Sequence, residues 1–319
     1  MNTTIVIPNY NGMKYLPACM EALAGQDYPA SLLVVDNGST DGSVTWLKDN
    51  YPDAEVICMG ENTGFCRAVN TGIRQAKTPY VILLNNDTQV KEGFTKALVS
   101  AMEKSENIFS VSAKMLDMKN EALVDNAGDL YCALGWAFAR GKGRKASEYN
   151  ARTPVFSACG GASIYRKSVL DKIGLFDELH FAYLEDVDIG WRARIYGYVN
   201  CYEPDARVLH AGSAVSGSKY NRFKTSLASA NSVYLIGKNM PFLQVLLNLP
   251  FLICGFLAKT LFFTAKGMGG LYIKGVVKGA ARCFSAEGRR NKVPFHWKNM
   301  GNYCRIQLEM WWNTVKRFV

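Results

Sequence analysis

The chain has 319 residues, 49% of them hydrophobic and 20% charged, with a formal net charge of +10. That length holds one large domain, or one domain with an appendage, and so much apolar content excludes a disordered chain. Nine cysteines, odd in number and without a CxxC pair, exclude a disulfide framework and a zinc ribbon and point to a reducing, cytosolic setting. The opening residues, MNTTIVIPNYNG, have neither the basic nor the apolar region of a secretion signal.

In chain order, short β-rich runs alternate with helical periodicity. Thr3 to Ile7, Leu32 to Asp36, Glu55 to Met59 and Tyr80 to Leu84 read as strands. Their nearly continuous apolar character is that of strands covered on both faces. Helices are expected near residues 13–25, 41–50, 64–76 and 91–104. The alternation predicts an α/β domain with a doubly wound, mostly parallel sheet, and in such sheets ligands sit beyond the carboxyl ends of the strands. Three polar clusters stand there: Pro8-Asn9-Tyr10-Asn11, Asp36-Asn37-Gly38-Ser39 and Asn85-Asn86-Asp87. Each alone is ordinary turn or cap chemistry, but three along one sheet edge read as a ligand site. No G-x-G-x-x-G follows the first strand and no GxxxxGK[ST] occurs, which disfavours dinucleotide and P-loop sites. Farther on, YLEDVDIGWRARIYGY (183–198) has helical spacing, with Glu185, Asp186 and Asp188 in its first turn. Acids there stabilise a helix N-terminus, and Asp188 is placed to pair with Arg192 at i,i+4.

Six blocks, IVIPNYNG, VVDNGSTDGS, ENTGFCRAVNTGI, LLNNDT, GLFDELHFAYLEDVDIGWRARIYGY and VLHAGS, follow one another as in glycosyltransferase family 2. The chain resembles that family over residues 3 to about 240, and its bacterial rhamnosyltransferase-type members most. The resemblance implies a GT-A fold, a nucleotide-diphosphate sugar donor, a divalent cation (Mg²⁺ or Mn²⁺) and inversion at the anomeric carbon. It places Asp87 and His210 on the metal, and Asp186 as the base that takes the acceptor proton, with Glu185 orienting it or touching the acceptor. It assigns Pro8, Asn9, Tyr10, Asp36, Arg67, Asn85, Asn86, Gly160 and Gly161 to the nucleotide sugar; Asp129, Trp136 and Asp188 are separate candidates for the acceptor. The family's strand-end motif is usually Asp-x-Asp. Here it is Asn85-x-Asp87, which keeps the metal-binding acid and exchanges the other for an amide able to bind a ribose hydroxyl. The donor reads best as dTDP-rhamnose, with UDP-galactofuranose or UDP-GlcNAc as alternatives, and the acceptor as a lipid-linked or cell-wall glycan. From another class, a non-catalytic membrane scaffold with a disabled metal site is favoured by Asn85 alone.

Charge divides the chain. Residues 1–204 hold 20 Lys/Arg and 24 Asp/Glu, whereas residues 205–319 hold 17 and 3. The expected division is a catalytic domain over 1–215 and a helical, basic, membrane-associating region over 216–319. Residues 242–265 are long and apolar enough to span a bilayer, although Pro250 and Lys259 interrupt them. A single span would place the ten Lys/Arg of residues 267–319 outside, against the positive-inside tendency. An interfacial or re-entrant arrangement on an anionic surface, at the inner face of the cell membrane, therefore reads better, with a single span and a buried helix pair or homo-oligomer contact as the alternatives. The basic, aromatic tail carries no nucleic-acid fold signature, and nucleic acid is not an expected partner.

Overall fold

The computed structural model describes residues 1–212 and 220–318. Its first part runs β1 (Thr3–Asn9), α1 (Leu16–Ala24), β2 (Ser31–Asp36), α2 (Ser43–Asn50), β3 (Glu55–Cys58), α3 (Phe65–Gln75), β4 (Tyr80–Leu84), β5 (Thr88–Val90) and α4 (Phe94–Met102). The four strands and four helices expected from the sequence are all present, with ends displaced by a few residues. Their apolar runs are continuous because both faces of the sheet are buried. Ile5, Ile7, Val34, Ile82 and Leu84 enter one core with Leu16 and Met20 of α1 and Phe94 and Leu98 of α4. The alternating Val6, Leu33, Val35, Val81 and Leu83 enter the opposite core with Val69 and Ile73 of α3. The two-residue period of a strand sends neighbours to opposite faces, so an all-apolar strand needs two cores.

The chain continues through β6 (Ile108–Asp117), β7 (Asn120–Asn126), β8 (Asp129–Cys132), β9 (Trp136–Ala139), β10 (Thr153–Val155), β11 (Ala162–Arg166), α5 (Lys167–Ile173), α6 (Glu185–Ile195) and β12 (Val199–His210). Among the described residues ten strands form one sheet in the order β10-β12-β6-β11-β4-β1-β2-β3, with β5 on β12 and β7 on β6. The β3-β2-β1-β4 centre is parallel. β11 inserts antiparallel between β4 and β6. That insertion positions the site. It lays Gly161 against the end of β4, where the Asn85 amide donates to the Gly161 carbonyl at 2.8 Å. On the far side β12 pairs antiparallel with β5, His210 opposite Thr88, which brings the end of β12 beside Asp87.

Among the described residues five α-helices follow: α7 (Arg222–Asn239), α8 (Phe242–Ala265), α9 (Gly269–Phe284), α10 (Ala286–Arg290) and α11 (Met300–Lys316). They share a core with the preceding elements. Tyr131, Phe156, Val187 and Trp191 pack with Leu235, Leu252, Tyr303 and Met310. The expected boundary at 215/216 thus divides chain segments that are joined by one core. α9 lies close along α7 because a Cβ at Gly275 or Gly279 would strike Ser229 or the Ala230 carbonyl. α8 runs unbroken through Pro250, whose ring lies on its exposed side. Its polarity is inverted. Gln244, Asn248, Leu252 and Gly255 form the buried stripe, and Asn248 and Gln307 exchange hydrogen bonds of 2.7 and 2.8 Å. The outer face presents Leu243, Leu247, Leu257 and Leu261. With 24 residues and a mean hydropathy of 1.9 in its most apolar window, α8 is long and apolar enough to cross a membrane by length and composition.

Candidate active site

A cavity of about 610 Å³ opens at the carboxyl ends of β1 and β4. Pro8, Asn9, Tyr10, Asn85, Asn86, Asp87, Gly160, Gly161, Glu185, Asp186 and His210 all line it, from five separate stretches of sequence. The amide-rich wall is internally bonded. Asn86 Nδ2 donates to Asn9 Oδ1 at 2.8 Å, and Asn9 Nδ2 donates to Asp36 Oδ1 and Ser43 Oγ, both at 2.9 Å. These bonds fix the strand ends and leave the Asn85 side chain beside Gly161. Asn37, from the second strand-end cluster, also lines the cavity, and Asn62, Phe65 and Phe181 are further wall residues that the sequence does not single out.

Asp87 and His210 meet at the cavity edge, Oδ1 to Nε2, at 3.4 Å. The other imidazole nitrogen, Nδ1, is 2.8 Å from Asp125 Oδ2, and Lys142 holds the second oxygen of Asp125. A carboxylate on Nδ1 fixes the ring and turns Nε2 towards Asp87, the arrangement by which proteins orient a metal-binding histidine. One carboxylate and one oriented imidazole form a donor set that suits a divalent cation completed by ligand oxygens. Burial works against a charged imidazole here, but the hydrogen bonds to Asp125 and Asp87 outweigh it and push His210 up to about 9. Proton and cation compete for the same nitrogen. Asp125 was missed because a lone Asp in a hairpin strand (LVDNAG) carries no sequence signal; only β7 beside β6 brings it to β12.

A second cavity, of about 410 Å³, adjoins the first and is walled by Asp129, Phe138, Leu184 and Phe263. Cys159, Tyr183, Glu185 and Asp186 line both. Asp186 is held by the backbone amides of Gly160, 3.1 Å to Oδ2, and Val187, 2.8 Å to Oδ1. Burial raises its carboxyl above the usual range, while those amides and a hydrogen bond from Asp129 draw it back. Asp129 is raised well above the usual range, first by burial and then by the charge of Asp186; Asn126 donates to it at 2.8 Å. Of the two neighbouring carboxyls, Asp129 is the one pushed farther towards its neutral form. Glu185 is likewise pushed well up by burial and by Asp186, and its buried Oε2 has no hydrogen-bond partner among the described residues.

Four expected site residues lie elsewhere. Asp188 is completely buried facing away from both cavities, bonded to Arg192 (2.9 Å), Lys238 (2.8 Å) and Asn239 (2.8 Å). Burial alone would raise it, but Lys238 and Arg192 hold it well below the usual carboxylate range. Three acidic and imidazole groups, Asp177, His180 and Asp188, converge there closely enough to hold a metal. Lys238, at 2.7 Å from Asp177, already neutralises them. Trp136 sits behind the second cavity, its indole N–H donating to the Gly255 carbonyl at 3.2 Å with Lys259 over its ring. Arg67 points outward, half exposed, and pairs with Glu178 at 2.9 Å. Asp36 spends its second oxygen on the turn amides of Gly38 and Ser39, at 3.2 and 3.0 Å, and is absent from the cavity wall.

The family model described as glycosyl transferase family 2 matches residues 4–174. The chain is 28% identical over 229 residues to N-acetylglucosaminyl-diphospho-decaprenol L-rhamnosyltransferase of Mycobacterium tuberculosis, covering 65% of this chain and 75% of that one. It is 21% identical over 201 residues to poly-beta-1,6-N-acetyl-D-glucosamine synthase of Staphylococcus epidermidis, covering 62% and 47%. Among solved structures it is similar to S. aureus TarS 1-349 in complex with UDP-GlcNAc, with a TM-score of 0.59, 16% identity and coverage of 96% and 90%. It is also similar to the mannosyltransferase PcManGT from Pyrobaculum calidifontis in complex with GDP-Man and Mn²⁺, with a TM-score of 0.54, 17% identity and coverage of 96% and 86%. These structural likenesses establish a GT-A-like α/β fold. The match over residues 4–174, more than half of the chain, establishes the rest: the protein belongs to glycosyltransferase family 2.

Proposed function

We propose that the protein is an inverting transferase that moves a sugar, best read as L-rhamnose from dTDP-rhamnose, onto a lipid-linked or cell-wall polysaccharide acceptor at a membrane surface. The observation that carries this reading is the place of Asp186, in the shared wall of two adjoining cavities. A donor in the larger cavity and an acceptor hydroxyl in the smaller would meet at this carboxylate. Asp186 then takes the hydroxyl proton as the new glycosidic bond forms and the nucleotide diphosphate departs on the opposite side. Burial raises the Asp186 carboxyl, and Asp129 beside it offsets part of that rise. Gly160 leaves the backbone open for close approach of the sugar. Asp87 and His210 would hold Mg²⁺ or Mn²⁺, which when bound neutralises the charge on the departing diphosphate.

The inverted polarity of α8 supports the membrane part of the reading. A helix that turns Gln244 and Asn248 inward and leucines outward is suited to an apolar surrounding. The 17 Lys/Arg against 3 Asp/Glu of residues 205–319 favour anionic headgroups, at the inner face of the membrane where nucleotide sugars are made. The test is a screen of nucleotide sugars for cation-dependent nucleotide release, with membrane-extracted lipid acceptors. Release from dTDP-rhamnose above all others supports the reading. Release from UDP-galactofuranose or UDP-GlcNAc keeps the chemistry and changes the sugar. Binding without release from any donor would favour the scaffold reading that Asn85 raises.

A further inference from the structure

The backbone that delivers Glu185 and Asp186 is held in an unfavourable shape. Phe181 has φ 62° and ψ −60°, Tyr183 has φ 71° and Leu184 has φ 68°. Side chains with a Cβ disfavour this region, so the surroundings must impose it. Phe181 to Tyr183 also wall the larger cavity, and Tyr183 and Leu184 the smaller, so both depend on the same turn. One side chain collects the carbonyls of that turn. Asn231, fully buried on α7, directs Nδ2 at the carbonyl oxygens of His180, Ala182 and Tyr183, at 2.9, 2.9 and 2.8 Å. Its Oδ1 accepts from Arg282 Nη1 of α9 at 2.7 Å. That bond fixes the amide orientation, because a flipped amide would set its NH₂ against the guanidinium and its oxygen against three carbonyls.

We propose that Asn231, locked by Arg282, is a positioning residue for sugar transfer: it holds the 180–184 backbone so that Asp186 stands between the two cavities. The helices beyond residue 215 are then part of the catalytic machinery, since α9 sets the turn through a chain of two side chains. The effect on turnover rests on the proposed role of Asp186; the effect on the backbone does not.

Asn231→Asp is the discriminating variant. It is nearly isosteric and keeps an acceptor for Arg282 but has no N–H to give the loop, so it separates the loop contact from α7–α9 packing. Asn231→Ala removes both contacts. Arg282→Lys, at a partly buried position, keeps the charge, loses the fork geometry and serves if a buried substitution fails to fold. Hydrogen exchange by mass spectrometry over residues 178–190, donor affinity and nucleotide release are read together. Asn231→Asp should speed exchange in that stretch by ~10-fold or more while distant strands keep wild-type protection. It should lower kcat by ~10-fold or more, by a larger factor than it raises KM for the donor. Arg282→Lys should shift both readouts in the same direction and less. Unchanged exchange over 178–190 in Asn231→Asp would overturn the proposal. So would faster exchange throughout the chain with activity that only tracks the folded fraction, since Asn231 would then be an ordinary core residue. If the wild type releases no nucleotide from any donor, the transfer reading fails, and the exchange data alone still decide whether Asn231 holds the turn.

Discussion

Replacing Leu243, Leu257 and Leu261 of α8 together by Gln tests what the outer face of this helix meets. These side chains are 72%, 58% and 71% exposed, so together they offer the equivalent of roughly two whole leucines to the surroundings. At about 2 kcal/mol for each leucine moved from water into an apolar medium, the triple variant should lose ~4 kcal/mol of partitioning, about a thousandfold. The fold should hardly respond, because none of the three is buried and Gln is a good helix former; the change in unfolding free energy should stay within about 0.5 kcal/mol per site. The assay is flotation with vesicles containing an anionic lipid, at low and high salt, beside a thermal melt. Wild type should float with the vesicles and be released only in part by salt, since the apolar contribution is not screened. The triple variant should stay in solution at high salt and bind weakly at low salt. Unchanged flotation would place the contact on another surface. A large fall in melting temperature, or loss of an oligomer, would mean that protein rather than lipid covers this face.

Within the site, Asp186→Asn keeps size and removes the proton acceptor, so kcat should fall by ~10²-fold or more while nucleotide binding by calorimetry persists. If kcat survives and only the donor KM rises, another carboxylate is the base. Asp87→Ala should remove the anionic cation ligand and cut turnover by several orders of magnitude at unchanged melting temperature; near-normal rates in saturating Mg²⁺ or Mn²⁺ would reject that role. Asp129→Ala removes the hydrogen bond that draws Asp186 down from the level set by burial. The base then stays protonated to higher pH, so the acidic limb of the kcat/KM profile should move upward; a limb that stays in place or moves down would show that Asp129 does not act on Asp186.

The sheet and most of the larger cavity were legible in the sequence for one reason. Strands buried on both faces are apolar throughout, so a polar residue at a strand end stands out, as Asn9, Asn85 and Asp87 do. Beyond the strand ends, residue type stops discriminating. Asp186 and Asp188 are both acids in the first turn of α6, yet they differ by two positions on a helix and so face opposite ways. One reaches the cavities, the other the buried Lys238. Asp36, also at a strand end, differs from Asp87 because its turn amides claim its carboxylate. Asp125 and Asn231 were out of reach for another reason: each acts at a distance in sequence, across β6–β7 pairing or through α7, and nothing local marks it. For α8 the clue lies in spacing: Gln244 and Asn248, four apart, fall on one helix face, and it is the buried one.

Phe263 links the apolar face of α8 to the chemistry. It walls the smaller cavity next to Glu185 and Asp186, and it stacks on Tyr272 of α9 with ring centroids 5.1 Å apart, while its neighbour Phe262 is exposed. The helix proposed to lie on the lipid therefore also closes the proposed acceptor cavity. An α-helix with its side chains is about 10 Å across, so under this proposal an acceptor hydroxyl in that cavity would lie within roughly one helix diameter of the surface. A sugar carried on a lipid headgroup stays within that reach without leaving the membrane. Its search is confined to a thin layer, which raises its effective concentration at Asp186 without any added contact in the site. The core that α8 and α11 share with Tyr131 and Trp191 gives this geometry its rigidity. A flexibly tethered domain would gain the same concentration and lose the fixed height. In the proposed arrangement packing would set the distance from the surface to Asp186.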